Sequence, residues 1–100
     1  MLAHLPIIIL TALHPTAVAD TVPKYDFAQE CRFEGGTKEM QDRCATDETQ
    51  AHDQLQKEWI QFSASAKSQC NLEATADSTP SYVELLTCLE MERDLRKASK

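Results

Sequence analysis

Residues 40–62 read MQDRCATDETQAHDQLQKEWIQF, and their apolar positions have the period of an α-helix. Apolar side chains recur at intervals of 4, 7, 4, 4 and 3 residues, at Met40, Cys44, Ala51, Leu55, Trp59 and Phe62. This spacing places them along one face of an amphipathic helix. Gly35-Gly36 supplies a turn before the pattern begins. We therefore predict one long helix from Thr37 to Phe62, with a break near Phe62-Ser63.

A second amphipathic pattern lies near the end of the chain. Thr79-Pro80 has the character of an N-cap and a first helical residue, and Ser81 and Glu84 have the spacing of a capping box. The predicted apolar face consists of Tyr82, Leu85, Leu86, Leu89 and Leu95. We predict a helix from Pro80 to Ala98 and shorter helices from Tyr25 to Phe33 and from Ala64 to Ala74. No stretch alternates with the period of a strand, so the sequence predicts a small all-α, four-helix domain.

Two disulfides are expected to staple this domain. The chain has four cysteines: Cys31, Cys44, Cys70 and Cys88. An even number in an exported chain favours disulfides, and the wide spacing, with His52 the only histidine after residue 20, disfavours zinc. Residues 31–34 and 70–73 share the pattern C-x-apolar-E, which suggests two repeated helical hairpins. Repetition favours the pairs Cys31–Cys44 and Cys70–Cys88, and the main alternative is Cys31–Cys70 with Cys44–Cys88.

The first 19 residues have the pattern of a signal peptide. They contain no charged side chain, and residues 5–13 read LPIIILTAL, an apolar run that is too short to span a bilayer. Ala17-Val18-Ala19 then fits the small-x-small rule for cleavage. The usual basic start is missing, so either the signal is atypical or the true start lies upstream. We predict a signal peptide over 1–19, a mature domain over 20–100, and a periplasmic or secreted location.

The predicted mature domain is acidic. All 16 acidic and all 10 basic side chains lie in it, with a formal net charge of -6. Such a charge disfavours nucleic acid as a partner and favours a basic protein. No second hydrophobic span follows residue 20, so we expect no membrane span in the mature form.

No catalytic pattern stands out in the sequence. It lacks a G-x-S-x-G, a P-loop, a dinucleotide fingerprint and a C-x-x-C, so we expect no enzyme activity, catalytic residue, cofactor or metal. Glu48 and Glu92 each lie four residues after a cysteine, and they could form an acid–base pair or cap neighbouring helices. Trp59 and Phe62 are either core residues or an exposed aromatic anchor. These four residues are the candidate binding residues, and His52 is interpreted as a solvated helix residue.

With these residues in view, the chain resembles a group of small exported bacterial proteins of unknown function. The shared features are Tyr25-Asp26, residues 48–59 (ETQAHDQLQKEW) and residues 81–94 (SYVELLTCLEMERD). That resemblance implies export and paired cysteines. The chain is also similar to LprI-like lysozyme inhibitors, through Trp59-Ile60-x-Phe62, Cys70, Ser81-Tyr82, Leu85, Cys88 and Arg93. We therefore expect a non-enzymatic binding or envelope-associated protein, with a lysozyme inhibitor as the alternative.

Overall fold

The computed structural model describes residues 21–99 and shows four α-helices within them. They are α1 (Ala28–Glu34), α2 (Lys38–Glu58), α3 (Ala64–Ala74) and α4 (Tyr82–Ala98), with a 3-10 turn at Trp59–Gln61 after α2. This stretch contains no strand, so the prediction of an all-α, four-helix domain is confirmed. The predicted signal peptide over 1–19 and its cleavage before Asp20 lie outside the described residues.

The two ends of α2 show how its length is set. Before it, Gly35 and Gly36 have φ values of +72° and +88°, which side chains with a Cβ rarely adopt. Thr37 then caps the helix, because its hydroxyl oxygen accepts from the amide of Met40. The prediction that α2 continues to Phe62 is wrong by four residues. The chain tightens into the 3-10 turn and then becomes extended at Phe62, so the predicted break in this region is confirmed.

Helices α1 and α4 begin later than predicted, at Ala28 rather than Tyr25 and at Tyr82 rather than Pro80. The carboxylate of Asp26 accepts from the amide of Ala28 and turns the chain into α1. Thr79-Pro80 is not the cap pair of α4. The N-cap is Ser81, whose hydroxyl oxygen accepts from the amide of Glu84, while Thr79 bonds to the side chain of Asp77 two residues earlier.

Each disulfide lies within one helical hairpin. Cys31 pairs with Cys44 at a Cα–Cα distance of 5.5 Å, and Cys70 pairs with Cys88 at 5.6 Å. Both distances are typical of disulfides. Cys44 and Cys88 each occupy the seventh position of their helix. The favoured pairing is therefore confirmed, and the alternative pairing of equivalent cysteines is wrong.

The hydrophobic core lies between the second half of α2, α3 and α4. Helices α2 and α4 run in the same direction, because Glu48 contacts the start of α4 and Glu58 contacts Arg93 near its end. The buried residues of this cluster are Ala51, Leu55, Trp59, Phe62, Cys70, Ala74, Tyr82, Leu85 and Leu89. Most of the two predicted apolar faces is thus buried.

Two residues of the predicted apolar faces are exposed to solvent. Met40 is 54% exposed and Leu95 is 63% exposed, so their assignment to core-facing stripes is corrected. The reason is the overlap of the two long helices. Met40 precedes the part of α2 that α4 covers, whereas Leu95 lies beyond Arg93 and so beyond the end of α2.

Residues 21–27 form a strap across the core. The amide of Tyr25 donates to the hydroxyl oxygen of Tyr82 at 2.7 Å, and that hydroxyl donates to the carbonyl of Pro23 at 2.9 Å. The two tyrosine rings stack with centroids 4.7 Å apart. Burial, and then the electrostatic effect of the neighbouring Tyr82, raises the pKa of Tyr25 to about 12. These contacts hold the start of the described chain against α4.

Candidate binding surfaces

Glu48 is buried and caps a neighbouring helix. One carboxylate oxygen accepts from the amide of Tyr82 at 2.6 Å, and the other accepts from the hydroxyl of Ser81 at 2.7 Å. A carboxylate suits this place, because the first amides of a helix lack internal acceptors and carry partial positive charge. The capping interpretation of Glu48 is confirmed. The residue fixes where α4 begins against α2.

Glu92 lies far from Glu48. It is exposed and follows Tyr82 by ten residues along α4, which corresponds to about 15 Å of helix. His52 packs its ring against Tyr82 at a centroid distance of 4.6 Å, near Glu48 and away from Glu92. The structure therefore does not bring the two carboxylates together as an acid–base pair.

Trp59 and Phe62 both belong to the core. They are 9% and 5% exposed, and their rings meet edge to face at a centroid distance of 6.4 Å. Phe62 also borders a cavity of about 430 Å³ between the start of α3 and the end of α4, and Glu92 borders the same cavity. Trp59 borders a different cavity, next to the strap. The four candidate binding residues therefore do not form one site.

A partly buried ion pair joins α2 to α4. Glu58 accepts from the guanidinium of Arg93 at 2.8 Å and also from the amide of Gln54. Burial alone would raise the pKa of Glu58, but the hydrogen bonds from Gln54 and Arg93 outweigh it and hold the pKa below its usual value. Burial, and then the hydrogen bond to Glu58, raises the pKa of Glu90. This cluster has a structural role, because it fixes the register of the two helices.

Acidic side chains converge where α1, α2 and α4 meet. They border a cavity of about 230 Å³ and comprise Glu30, Glu34, Asp47, Glu48 and Glu84. Burial, and then repulsion from Asp77, Glu30 and Glu48, raises the pKa of Glu84. Burial, and then contact with Glu34, likewise raises the pKa of Glu30. Sequence reasoning missed this convergence, because the residues are far apart in the chain and only the net acidity pointed to it.

An apolar groove continues from this acidic region along α4. Its cavity measures about 380 Å³ and is bordered by Val83, Thr87, Met91 and Leu95, which recur every four residues, and by the Cys88 disulfide. Val83, Met91 and Leu95 are exposed, and the carboxylates of Glu73, Glu84 and Glu92 border the same cavity. Val83 and Glu84 border both cavities, so the surface is continuous. We call the apolar stripe on α4 and these three carboxylates the acidic groove.

Comparison with protein-family models, curated protein sequences and solved structures found no match. Within residues 21–99, no three or more histidine, cysteine, aspartate or glutamate side chains are placed to hold a metal ion. Across the same residues, no helix combines the length and the apolar character that crossing a membrane requires.

Proposed function

We propose that this protein is an exported, non-enzymatic binding protein whose acidic groove holds a basic, amphipathic segment of a partner protein. The observation that carries the proposal is the exposed apolar stripe on α4 bordered by carboxylates. Large apolar side chains in a row on a solvent-facing helix are typical of binding surfaces. Carboxylates along the stripe select a partner that carries lysine or arginine beside its apolar residues.

The spacing of the stripe favours a helical partner. Val83, Thr87, Met91 and Leu95 lie on successive turns of one helix face, so a partner helix with apolar residues at similar intervals could pack along it. The net charge of -6 would also steer a basic partner toward the protein before contact. This steering weakens as salt rises, because mobile ions screen exposed charges.

Export is supported by the disulfides. Both cysteine pairs are oxidised, and such bonds persist in oxidising compartments rather than in a reducing cytosol. The apolar run over residues 5–13 and the Ala17-x-Ala19 pattern are typical of a signal peptide, which would direct the chain to such a compartment. Mass spectrometry of the protein from its own cell tests this directly. A species that begins at Asp20 supports export, whereas an intact Met1 in the cytosol contradicts it.

A peptide titration tests the groove. The probe is a helical peptide with leucines along one face and lysines along both flanks, added to the mature protein in about 0.15 M salt. The double variant Glu84→Lys/Glu92→Lys should weaken binding about tenfold or more, because two attractive charges become repulsive. The control, Glu39→Lys/Asp53→Lys, makes the same change in net charge at exposed positions outside the groove. An equal loss of affinity in the control would show that binding depends on net charge alone. That result would contradict the proposal that the acidic groove is the binding site.

Affinity capture from the periplasm of the native cell would then identify the partner. We expect the captured protein to be basic and to be lost with Glu84→Lys/Glu92→Lys. Recovery of no partner, together with turnover of a hydrolase substrate by the mature protein, would overturn the proposal of a non-enzymatic binder.

A lysozyme inhibitor is the second candidate. The acidic groove favours it, because a small acidic protein can occupy the substrate cleft of a basic enzyme. Micromolar mature protein should then slow the clearing of bacterial cell walls by lysozyme, and Glu84→Lys/Glu92→Lys should relieve the inhibition. An unchanged rate with the unmodified protein would exclude this candidate and leave the more general binding proposal in place.

A further inference from the structure

A cleft lies between the strap and α3, separate from the acidic groove. Residues 21–24 form one side, Trp59 forms a wall, and Lys67, Ser68 and Asn71 of α3 form the other side. Its volume is about 390 Å³, which lies within the range of sites that hold small molecules. None of its lining residues borders the acidic groove. We propose that this cleft binds a small organic anion, a carboxylate with an alkyl or aryl body.

The polar part of the cleft selects a negative charge. Lys24 and Lys67 both border it, and the ammonium of Lys67 lies 4.8 Å from the centroid of the Trp59 ring. Within residues 21–99, neither lysine has a carboxylate within 4 Å. Among the described residues, the cleft is lined by two lysines and by no acidic side chain, although the chain has 16 acidic and only 10 basic residues. A ligand carboxylate would pair with them, and Ser68 and Asn71 offer further hydrogen bonds.

The apolar part selects the body of the ligand. Val22, Pro23 and Trp59 present hydrocarbon and aromatic surface to the cleft. Trp59 also carries the indole nitrogen, which is the one buried side-chain nitrogen or oxygen in the described part of the chain that lacks a hydrogen-bond partner. Buried donors of this kind are normally satisfied. Because this nitrogen is buried, a ligand carboxylate would reach it only if the ring shifts on binding, so recognition rests on the lysines and the apolar wall.

Trp59 makes the cleft easy to monitor, because it is the only tryptophan in the protein. The mature protein with intact disulfides is titrated with 4-phenylbutyrate while tryptophan fluorescence is recorded, and calorimetry provides a second measurement of affinity. We expect a saturable change. The matched neutral probe, 4-phenylbutanol, should bind about tenfold more weakly, because it lacks the charge that the lysines recognise.

Variants assign the binding to the cleft. In calorimetry, Lys24→Gln/Lys67→Gln should lower the affinity for 4-phenylbutyrate about tenfold. The affinity of this variant for 4-phenylbutanol should stay nearly unchanged. The control, Lys38→Gln/Lys57→Gln, removes the same charge at exposed positions of α2 and should bind both probes as the unmodified protein does. Three results would each overturn the proposal: no saturable signal up to millimolar probe, equal affinity for the alcohol, or an equal loss in the control. None of them bears on the basic partner of the acidic groove, because the two sites share no residue.

Discussion

The two hairpins carry the same staple but have very different interiors. In residues 28–47, Cys31 is the one buried apolar residue, and Phe33 is 78% exposed. In residues 64–98, by contrast, the buried apolar residues are Cys70, Ala74, Tyr82, Leu85 and Leu89. The first disulfide therefore stands in for a core that the first hairpin lacks, whereas the second reinforces a core that already exists. Similar cysteine placement does not imply a similar energetic role.

The helix overlap explains the difference. Helix α4 starts beside Glu48, so the first ten residues of α2 have α1 as their helical neighbour. Helix α1 has only seven residues and covers little surface. From Glu48 onward, α2 packs against α4, and α4 packs against α3. Burial follows the number of helices that meet at a given level of the domain.

Removal of each disulfide should have the largest effect and should affect the two hairpins differently. In the chain-entropy model, loss of a disulfide that closes a loop of 13 or 18 residues costs about 3 kcal/mol. Cys70→Ala/Cys88→Ala should lower the free energy of global unfolding, because it also removes packing at the fully buried Cys70. Cys31→Ala/Cys44→Ala should instead release α1 and the start of α2 while α3 and α4 stay folded.

Hydrogen exchange, read helix by helix, distinguishes these outcomes. In Cys31→Ala/Cys44→Ala, amide protection should fall in residues 28–47 and persist in α3 and α4. An equal loss of protection across α3 and α4 would show that the first hairpin supports the whole domain. Urea denaturation of the intact protein and of both variants supplies the free energies.

A truncation in each hairpin sharpens the comparison. Leu85 is fully buried, so Leu85→Ala should reduce the free energy of unfolding by about 2–5 kcal/mol through lost packing and the cavity left behind. Phe33→Ala should change it by about 0.5 kcal/mol or less, because the ring is mostly in water. Urea denaturation measures both values. A cost at Phe33 comparable to that at Leu85 would mean that the first hairpin has a core of its own.

The two glutamates at matching places offer a smaller contrast. Glu48→Ala leaves the amide of Tyr82 and the hydroxyl of Ser81 without their acceptor, which should cost about 1–3 kcal/mol. Glu92→Ala at the exposed equivalent should cost about 0.5 kcal/mol or less. Thermal unfolding of the two variants at the same pH tests the pair. Equal shifts in Tm would contradict the capping role of Glu48.

The smallest expected effect is a dependence on pH at Glu90. Its pKa is raised by burial and by the bond to Glu58, so its contribution to stability is full below the unfolded pKa and is lost as pH rises through the folded pKa. Glu90→Gln should thus stabilise the protein at pH 7 by about 0.5 kcal/mol or less.

The gain from Glu90→Gln should disappear as the pH falls and the native carboxyl takes up its proton. Urea denaturation at several pH values between 4 and 7 measures it. Glu92→Gln on the same helix is the control. A gain in the free energy of unfolding of Glu90→Gln that stays constant with pH would contradict the raised pKa of Glu90.

Much of the fold could be predicted from local patterns in the chain. The apolar period placed α2 and α4, the predicted break near Phe62-Ser63 separated α2 from α3, and the repeated spacing of cysteines indicated both disulfides. The errors were at two helix starts, where capping by Asp26 and Ser81 competes with other turn residues nearby, and at the end of α2, where the chain tightens into a 3-10 turn. Of the candidate binding residues, sequence foresaw that Glu48 could cap a helix but could not say which helix.

The sequence by itself determined that this protein is helical, stapled within hairpins and acidic, because helical period, turn-forming glycines and net charge are properties of neighbouring residues or of composition. Only the tertiary structure decided which face of α4 stays open and which carboxylates gather beside it. That outcome depends on the register between α2 and α4, which is set by the cap from Glu48 and the ion pair between Glu58 and Arg93. The period of one helix carries no information about its offset against another, so residues as distant as Glu30 and Glu84 meet only when the chain packs.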